Sequence, residues 1–301
     1  MTNFKLLLIF LTLSFTTVSA QDKKCVKEVK EKVKIKKYHK ISRKVDETSG
    51  LIIFQDNFLT HNDSGGEPTL YKIDKNTGKV IGRIIITNAK NRDWEDITQD
   101  ENYIYVGDFG NNGGYRKDLC IYKIDKEEVK AQDDSVFAEK ITFHYAEQDN
   151  FKRRSLKHNF DCEAMTVYGD EILLFSKNWK NQKTRLYKIP KEAGDYELKA
   201  FQRCDVNGLI TGASYNKKWN TLCLIGYRDY RPFMVIDYNF TGRLENSKRI
   251  GIKKRRFSQT EGIFLDDDGI IYISSEKTKR FHQNIYRISL EDTKNEAIEK
   301  E

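Results

Sequence analysis

The feature that most constrains the fold is a three-part pattern that recurs five times along the chain. Each copy has a polar lead residue followed by small or apolar residues, then a β-rich run ending in a polar turn, and then an apolar run that usually contains Tyr and a basic residue. The spacing from the lead residue to the start of the last part stays between 21 and 26 residues. The five lead residues are Ser49, Glu95, Glu163, Thr211 and Glu261. Such self-similarity, in units of roughly 50 residues, indicates a repeat architecture.

The content of each repeat points to one fold class. About four short β-rich segments per repeat are bounded by Gly, Asn and Asp turns, of which 74–78 and 266–269 are clear hairpin turns. Long helical periodicity is absent. Four-stranded repeats of this length predict an all-β protein, a β-propeller with five antiparallel blades around a central channel. A basic polar insertion at 146–159 lengthens the second repeat, and a sixth, degenerate blade there is the alternative.

The repeats define one propeller domain at 33–290, with other segments on either side. Residues 1–20 have the parts of a secretory signal peptide, with Lys5, an apolar stretch at 6–15 and small residues at 18–20. This apolar stretch is too short for a transmembrane helix, so we expect a secreted or periplasmic protein that begins near Gln21. Residues 21–32 are expected to be a loose, charged lead-in. Residues 291–301 are expected to be a polar tail that frays.

A propeller must close its ring, and the segment 33–38 is a candidate for the closing strand. It alternates apolar and charged residues, the pattern of an edge strand with one wet face. The last repeat ends near residue 290 without an obvious outer strand. We therefore expect the segment to complete the last blade.

The cysteines restrict the redox chemistry of an exported chain. There are five of them: Cys25, Cys120, Cys162, Cys204 and Cys223. An odd number leaves at least one outside any internal bridge, and none has the C-x-x-C spacing of a zinc or redox site. Cys120 and Cys223 stand in apolar strand segments, which is typical of buried thiols. One disulfide is compatible with the sequence, which does not select the pair.

Equivalent positions of radially repeated blades converge on one axis, so the five lead side chains are expected to meet at the channel mouth. Three carboxylates in one small space resist ionisation, because repulsion and desolvation raise their pKa values. A hard divalent cation removes this penalty, and calcium accepts roughly six to eight mixed oxygen ligands. No His or Cys occupies a lead position, which argues against zinc and copper. In the alternative interpretation, the lead side chains only bond backbone groups of their own or the next blade.

The lead motifs resemble those of a known family. They read Ser-Gly-Leu, Glu-Asp-Ile, Glu-Ala-Met, Thr-Gly-Ala and Glu-Gly-Ile. This pattern resembles the calcium-activated nucleotidase (apyrase) family, a five-bladed propeller whose channel calcium is held by Ser and Glu side chains. The resemblance implies that the calcium ligands are Ser49, Glu95, Glu163, Thr211 and Glu261, with Thr211 in place of a serine. Glycines Gly50, Gly212 and Gly262 follow three lead residues and fit a tight entry beside the axis.

A second resemblance covers most of the chain after residue 20. It rests on His-Asn-Asp-Ser-Gly at 61–65, Asp-Trp-Glu-Asp at 93–96 and Gly-Asp-Phe-Gly-Asn-Asn at 107–112. These motifs are similar to those of secreted bacterial propellers of the phytase-like or SdiA-regulated type. This likeness is the closer of the two, since the apyrase likeness is limited to the lead residues and the blade plan.

The loops around the channel mouth are rich in basic residues. The candidate substrate-binding residues are Arg92, Arg154, His158, Arg228 and Arg255. A central cation under a basic rim suits phosphoester or phosphoanhydride hydrolysis, because the cation polarises a phosphate whose oxygens the arginines hold. Asp63 and Asp108 are candidate catalytic bases that would orient a water, and Trp179 is a candidate for stacking on a base or sugar. Because the chain has 53 Lys and Arg residues, a merely solvated rim is the alternative.

The sequence therefore favours a calcium-dependent phosphohydrolase that acts on nucleotides or other phosphorylated small molecules. A non-enzymatic secreted propeller, serving as a ligand- or protein-binding scaffold, is the alternative, and lactone or sugar-ester hydrolysis on the same scaffold is a third hypothesis. The net charge of +8 suits an anionic small-molecule ligand. Nucleic acid is disfavoured, because the charge is spread over loops without a recognition helix. The chain contains no P-loop, G-x-S-x-G or H-E-x-x-H motif, and its oligomeric state is left open.

Overall fold

The computed structural model describes residues 25–131, 134–253, 259–279 and 281–298. Within these ranges the chain forms five sheets around a common axis, which confirms the predicted five-bladed propeller. The predicted signal peptide and the candidate Arg255 lie outside the described residues. None of the described helices has the length and apolar character needed to cross a membrane.

The chain enters the propeller through β1 (Val26–Val33), β2 (Lys36–Lys40) and a 3-10 turn (Arg43–Val45). The first blade contains β3 (Thr48–Phe54), β4 (Asn57–Asn62), β5 (Thr69–Asp74) and β6 (Val80–Ile86). The second repeat contains β7 (Trp94–Gln99), β8 (Tyr103–Asp108), β9 (Leu119–Asp125), helix α1 (Lys126–Ala131), β10 (Ser135–Val136) and β11 (Glu139–Tyr145).

The third repeat contains β12 (Cys162–Tyr168), β13 (Glu171–Ser176), β14 (Thr184–Pro190), β15 (Gly194–Leu198) and β16 (Gln202–Cys204). The fourth contains β17 (Leu209–Asn216), β18 (Thr221–Arg228), β19 (Arg231–Asp237) and β20 (Ser247–Ile252). The fifth contains β21 (Thr260–Leu265), β22 (Ile270–Ser275) and β23 (Asn284–Ser289), and the helix α2 (Leu290–Ile298) follows.

The ring closes through the N-terminal part of the chain. Strand β2 pairs antiparallel with β23 and becomes the outer strand of the fifth blade. The closing strand thus occupies 36–40 rather than the expected 33–38. Three blades also gain a fifth, parallel strand from elsewhere in the chain: β10 pairs with β6, β15 pairs with β11, and β1 pairs with β20.

Two terminal segments are more ordered than their charge suggested. The expected loose lead-in at 21–32 instead contributes most of the edge strand β1 (Val26–Val33), in which Val26 and Val33 are buried while Lys27, Glu28, Lys30 and Lys32 are exposed. Residues 290–298, expected to begin a fraying tail, form α2. Ser289 caps this helix by accepting a bond from the Asp292 amide at 3.0 Å. The buried Thr293 accepts a bond from the Tyr238 hydroxyl at 3.1 Å.

The insertion at 146–159 contains no strand and forms a loop against the second blade, where the Arg154 amide donates to the Gly113 carbonyl at 2.8 Å. The apolar core is divided among the interfaces between neighbouring blades. Leu59 of the first blade, for example, shares a buried cluster with Trp94 and Ile97 of the second. The innermost strands β3, β7, β12, β17 and β21 touch one another in this order around the channel.

Candidate metal centre at the channel mouth

Each innermost strand is irregular at its lead residue. The pairing between the innermost and second strands shifts register at this point in all five blades: around Ser49, Glu95, Glu163, Thr211 and Glu261. Such β-bulges bend a strand and re-aim its side chains, and they are common beside functional sites. The bulges therefore allow a residue at the start of each strand to face the channel mouth.

Two of the glycines that follow lead residues are required by close strand contacts. Gly50 has a φ of +62°, and a Cβ there would lie 2.6 Å from the Ile97 amide nitrogen of the next blade. A Cβ on Gly212 would lie 2.2 Å from the Glu261 carbonyl oxygen. Neighbouring innermost strands therefore approach one another too closely for any side chain at these positions.

A cavity of about 170 Å³ lies at the channel mouth, and we call it the axial cavity. In the described part of the chain, its carboxyl groups belong to Asp63, Glu95, Glu163, Glu261 and Glu276, and its one ammonium group belongs to Lys177. The remaining lining residues are Ser49, Asn112, Trp179, Tyr227 and Gln259. Four of the five lead residues thus share one space, together with the predicted base Asp63. Among the described residues, five carboxyl groups therefore face one ammonium group in the axial cavity.

Lys177, which follows the last residue of β13, is the central cation of the cavity. Its Nζ lies 2.9 Å from Glu163 Oε2, and both side chains are buried. The ammonium also lies 4.7 Å from the ring centre of Trp179 and 5.6 Å from that of Tyr227. Burial opposes the charge of Lys177, but the surrounding carboxylates, Glu163 first, raise its pKa well above the usual value. Lys177 therefore stays protonated and neutralises part of the acidic cavity.

Several carboxylate oxygens of the axial cavity are unsatisfied. Within the described part of the chain, Glu95 Oε1, Glu163 Oε1 and Asp63 Oδ1 are buried and have no hydrogen-bond partner. Burial, followed by the Asp93 charge, raises the pKa of Asp63 to about 7. Burial also raises the pKa of Glu261 to about 7 and that of Glu95 well above its usual range, with Glu163 adding repulsion. Buried acceptors without donors are rare in folded proteins, and burial with mutual repulsion favours the neutral forms of these carboxyl groups.

Three carboxyl groups come close enough together to share one ion. One oxygen each of Asp63, Asp93 and Glu95 lies within 4.8 Å of the others. Burial and the neighbouring Asp161 raise the pKa of Asp93 to about 6. The backbone of Gly110 packs directly on this cluster, since a Cβ there would lie 2.0 Å from Glu95 Oε1. Asp93 was not among the predicted ligands, although it stands only two residues before Glu95.

Two lead residues link neighbouring blades through their hydroxyl groups. Ser49 Oγ donates to the Glu95 carbonyl at 2.7 Å, and Thr211 Oγ1 donates to the Thr260 carbonyl at 2.7 Å. Thr211 does not line the axial cavity, but its hydroxyl is close enough to the Glu261 carboxyl to oppose the rise in the pKa of Glu261. Its hydroxyl bonds the backbone as the structural alternative predicted.

The strongest link between blades comes from Asp96, beside the lead residue Glu95. Its buried carboxylate accepts bonds from the amides of Ile97 at 2.9 Å, Met165 at 2.8 Å and Ala213 at 3.2 Å. These three amides belong to three successive blades. Asp96, rather than a lead glutamate, thus bonds the backbone across the channel, which leaves the glutamates of the ring available for a ligand.

The second predicted base does not reach the axial cavity. Asp108 is buried and pairs with Arg116, whose Nη2 lies 2.8 Å from Asp108 Oδ1. Arg116 also bonds the Gly110 carbonyl at 2.8 Å and Asp118 at 3.2 Å. The carboxylate of Asp108 therefore holds the loop 108–118 in place, and the structure does not support its predicted catalytic role.

None of the described residues predicted to bind substrate lines the axial cavity. Arg92 pairs with Asp118, and Arg154 donates to the Asn150 carbonyl at 2.6 Å. His158 is buried, accepts a bond from the Phe160 amide at 3.2 Å and donates to the Asn112 carbonyl at 3.1 Å. Arg228 is partly exposed, 3.9 Å from Asp229. The basic rim is thus largely occupied by internal partners, which a sequence cannot reveal.

The sequence did contain a signal for two lining residues that were missed, Lys177 and Glu276. The positions just after the second strand of a blade are Asp63 in the first, Lys177 in the third and Glu276 in the fifth, and all three line the cavity. Aligning the repeats at this point, as well as at the lead residues, would have found them. Trp179, the predicted stacking residue, does line the cavity, where its Nε1 donates to Asp161 Oδ2 at 2.6 Å.

Fold and site together define a five-bladed β-propeller with an acidic cavity at one end of its channel. The chain matches no protein-family model and no curated protein sequence. Among solved structures it is similar to the PQQ-bound aldose sugar dehydrogenase of Streptomyces coelicolor, with a TM-score of 0.53 and 9% identity over 85% of this chain and 97% of that one. It is also similar to a glucose dehydrogenase, with a TM-score of 0.50 and 8% identity over 85% and 99% of the two chains. At such low identity these likenesses establish the propeller fold alone.

Proposed function

We propose that this chain is an exported propeller that binds a divalent cation, calcium, in the axial cavity and uses it to hydrolyse a phosphorylated small molecule. The observation that carries the proposal is the set of buried, unpartnered oxygens of Asp63, Glu95 and Glu163. Leaving such acceptors unpaired costs about 1–3 kcal/mol each, and more when they are charged. An all-oxygen ligand set without His or Cys is the one that calcium prefers.

The ligand set that we propose differs from the one implied by the family resemblance. Asp63, Asp93 and Glu95 form the group of oxygens with the closest mutual approach, and Glu163 and Glu261 complete the acidic lining. Thr211 leaves the set, since its hydroxyl bonds the next blade. The resemblance to calcium-activated nucleotidases and phytase-like propellers remains part of this proposal.

The residues around the cavity supply the remaining requirements of hydrolysis. Calcium bound there would neutralise negative charge on a phosphate and polarise it. Lys177 has three N–H donors and can bond a phosphate oxygen while it keeps its contact with Glu163. Asp63 belongs to the closest group of oxygens, so it would help to hold the cation and would orient a water bound beside it. The cavity of about 170 Å³ is smaller than most ligand sites, so only the phosphate end of a substrate would enter it.

Metal content and turnover test the proposal directly. Purified protein, dialysed against calcium and then against buffer alone, should retain about one equivalent of calcium, and it should release phosphate from a panel of nucleotides and sugar phosphates. EDTA and Glu95→Gln should each abolish both results. The control is Glu171→Gln, which removes an exposed carboxylate that pairs with Lys188 at 2.7 Å. Folded wild-type protein that retains no calcium would refute the proposal.

One observation favours the second candidate function, a non-enzymatic scaffold with a structural ring. The hydroxyls of Ser49 and Thr211 bond the next blade, and Lys177 already neutralises Glu163. Such a protein would show no turnover with any phosphate ester, and Glu95→Gln would alter its stability alone. Calcium binding without phosphate release would leave the scaffold, or the hydrolysis of lactones or sugar esters, as the function.

A further inference from the structure

The N-terminal segment of the propeller crosses the outer edges of neighbouring blades. Strand β2 forms the outer edge of the fifth blade, and β1 runs parallel to β20 at the outer edge of the fourth. Cys25 stands immediately before β1 and extends the segment to the third blade, where it meets β16. The segment that closes the ring is therefore held at three successive blades, and Cys25 is its first contact.

Cys25 is surrounded by the residues of β16. Its Sγ donates to the Arg203 carbonyl at 3.8 Å and accepts a bond from Gln202 Nε2 at 3.7 Å. Cys204, the last residue of β16, directly follows Arg203 and lies in the same buried cluster as Cys25, and each thiol shifts the pKa of the other. Both cysteines are buried, with exposed fractions of 7% and 0%. The two cysteines thus meet in one buried cluster although they lie far apart in the sequence.

The other cysteines of the chain have no comparable neighbour. Cys25 and Cys204 share one buried cluster between the third and fourth blades. Cys120, Cys162 and Cys223 each belong to a different cluster, at three other blade interfaces. A disulfide needs Cα atoms within about 7 Å, so the separation of these three cysteines into different interfaces prevents them from pairing with one another. One pair and three single cysteines account for the odd number.

We propose that Cys25 and Cys204 form a disulfide that fastens the ring-closing segment to the third blade. The inference does not depend on the proposed hydrolase function. Disulfides persist in oxidising compartments outside the cytosol, and the predicted signal peptide at 1–20 would direct the chain there. The bond joins a segment bound to the fourth and fifth blades with the outermost strand of the third. It therefore restrains the opening of the ring at the place where the chain closes it.

The reaction needs a disulfide-bearing oxidant, such as an exported thiol oxidoreductase or oxidised glutathione. The Cys25 thiolate attacks one sulfur of that disulfide and releases the other as a thiolate. Cys204 then loses its proton and attacks the Cys25 sulfur of the mixed disulfide, releasing the second thiol of the oxidant. Two protein thiols are oxidised, one disulfide is reduced to two thiols, and the two protons end on the released thiols.

The surroundings of the two sulfurs assign the order of these steps. The hydrogen bond from Cys204 lowers the pKa of Cys25 below its ordinary value, although burial opposes this shift. The same hydrogen bond and burial raise the pKa of Cys204. Because the thiolate is the attacking species, Cys25 reacts first. It also lies at the start of an edge strand, where local opening gives an oxidant access.

The first test is a thiol count and a peptide map, and it needs no variant. Full-length protein is reduced, freed of reductant and incubated folded with oxidised glutathione, then unfolded and alkylated with iodoacetamide. Reactive thiols should fall from five to three, and a non-reducing digest should contain one linked pair of peptides, carrying Cys25 and Cys204. Five alkylated cysteines, mixed disulfides with glutathione alone, or a different linked pair would overturn the proposal.

The second test measures what the bond does. Limited proteolysis of the oxidised protein should cut near β1 at least about tenfold more slowly than after reduction with dithiothreitol, because local opening limits cleavage. Cys25→Ser should be cut at the rate of the reduced wild type and should not respond to dithiothreitol. Equal rates for oxidised and reduced wild type would show that the bond does not hold this segment.

Discussion

Replacing Lys177 by Met tests the electrostatics of the axial cavity most directly, because it removes the one positive charge that the described residues place there and keeps most of the side-chain volume. Lys177 Nζ lies 2.9 Å from Glu163, and the two side chains are 7% and 2% exposed. Breaking a buried ion pair by removing one partner costs about 3–5 kcal/mol. A change of 1 kcal/mol shifts the melting temperature of a domain of this size by roughly 2–4 °C. In EDTA, the melting temperature of Lys177→Met should therefore fall by about 6–20 °C.

Calcium should reverse much of this loss. Without Lys177, five carboxyl groups face the cavity with no internal cation, so a divalent cation should stabilise the variant more than it stabilises the wild type. Differential scanning fluorimetry in EDTA and in millimolar calcium measures both effects. The double variant Lys177→Met/Glu163→Gln should recover part of the stability, because it removes the unpaired charge. The surface control Lys188→Met, which loses an exposed pair with Glu171, should change stability by less than about 1 kcal/mol.

Two results would refute this reasoning. If Lys177→Met melts at the wild-type temperature in EDTA, the buried pair with Glu163 does not contribute as the geometry requires. If calcium stabilises the variant less than the wild type, Lys177 helps to build the cation site and does not compete with it.

Three further predictions follow from the same site. The pKa values of Asp63 and Glu261 are raised to about 7 in the folded protein, so their protonation stabilises the fold below about pH 4, and this contribution is lost as the pH rises through 7. In EDTA the melting temperature should therefore be lower at pH 8 than at pH 5. A melting temperature that increases from pH 5 to pH 8 would contradict the assignment. Gly110→Ala should displace the Glu95 carboxylate and cost about 1–3 kcal/mol of stability. It should also weaken calcium binding as measured by calorimetry, and an unchanged affinity would show that the backbone at Gly110 does not border the calcium site. Thr211→Val should lower the free energy of unfolding by about 1–3 kcal/mol, because it leaves a carbonyl of the next blade unpaired. It should not weaken calcium binding, and weaker binding would indicate that Thr211 is a ligand.

The repeat pattern predicted the architecture because its signals are local. Alternating side chains and turn residues define strands within a few positions, and five copies at similar spacing require radial repetition. The same alignment selected Ser49, Glu95, Glu163 and Glu261, which do meet in one cavity. The position of a residue within its repeat indicates its distance from the axis. The ring of lead residues could therefore be predicted from the sequence.

The sequence did not show which charged side chains pair with one another. The predicted substrate-binding arginine Arg92 pairs with Asp118, and the predicted base Asp108 pairs with Arg116. Lys177 was not among the predicted site residues, yet it is buried against Glu163. These outcomes depend on how loops of different blades fold over the channel mouth, and composition does not specify that geometry.

The fold class, the favoured blade number and the axial position of the lead residues follow from periodicity along the chain. Each repeat contains the local pattern on which these predictions rest. Which carboxylates lack a partner, which hydroxyls link blades and which cysteines meet are properties of contacts between different repeats. Cys25 and Cys204 illustrate the difference, because their approach depends on a parallel strand added to the edge of a distant blade. Burial and pairing are set by that packing, and they decide the charge and the chemistry of the axial cavity.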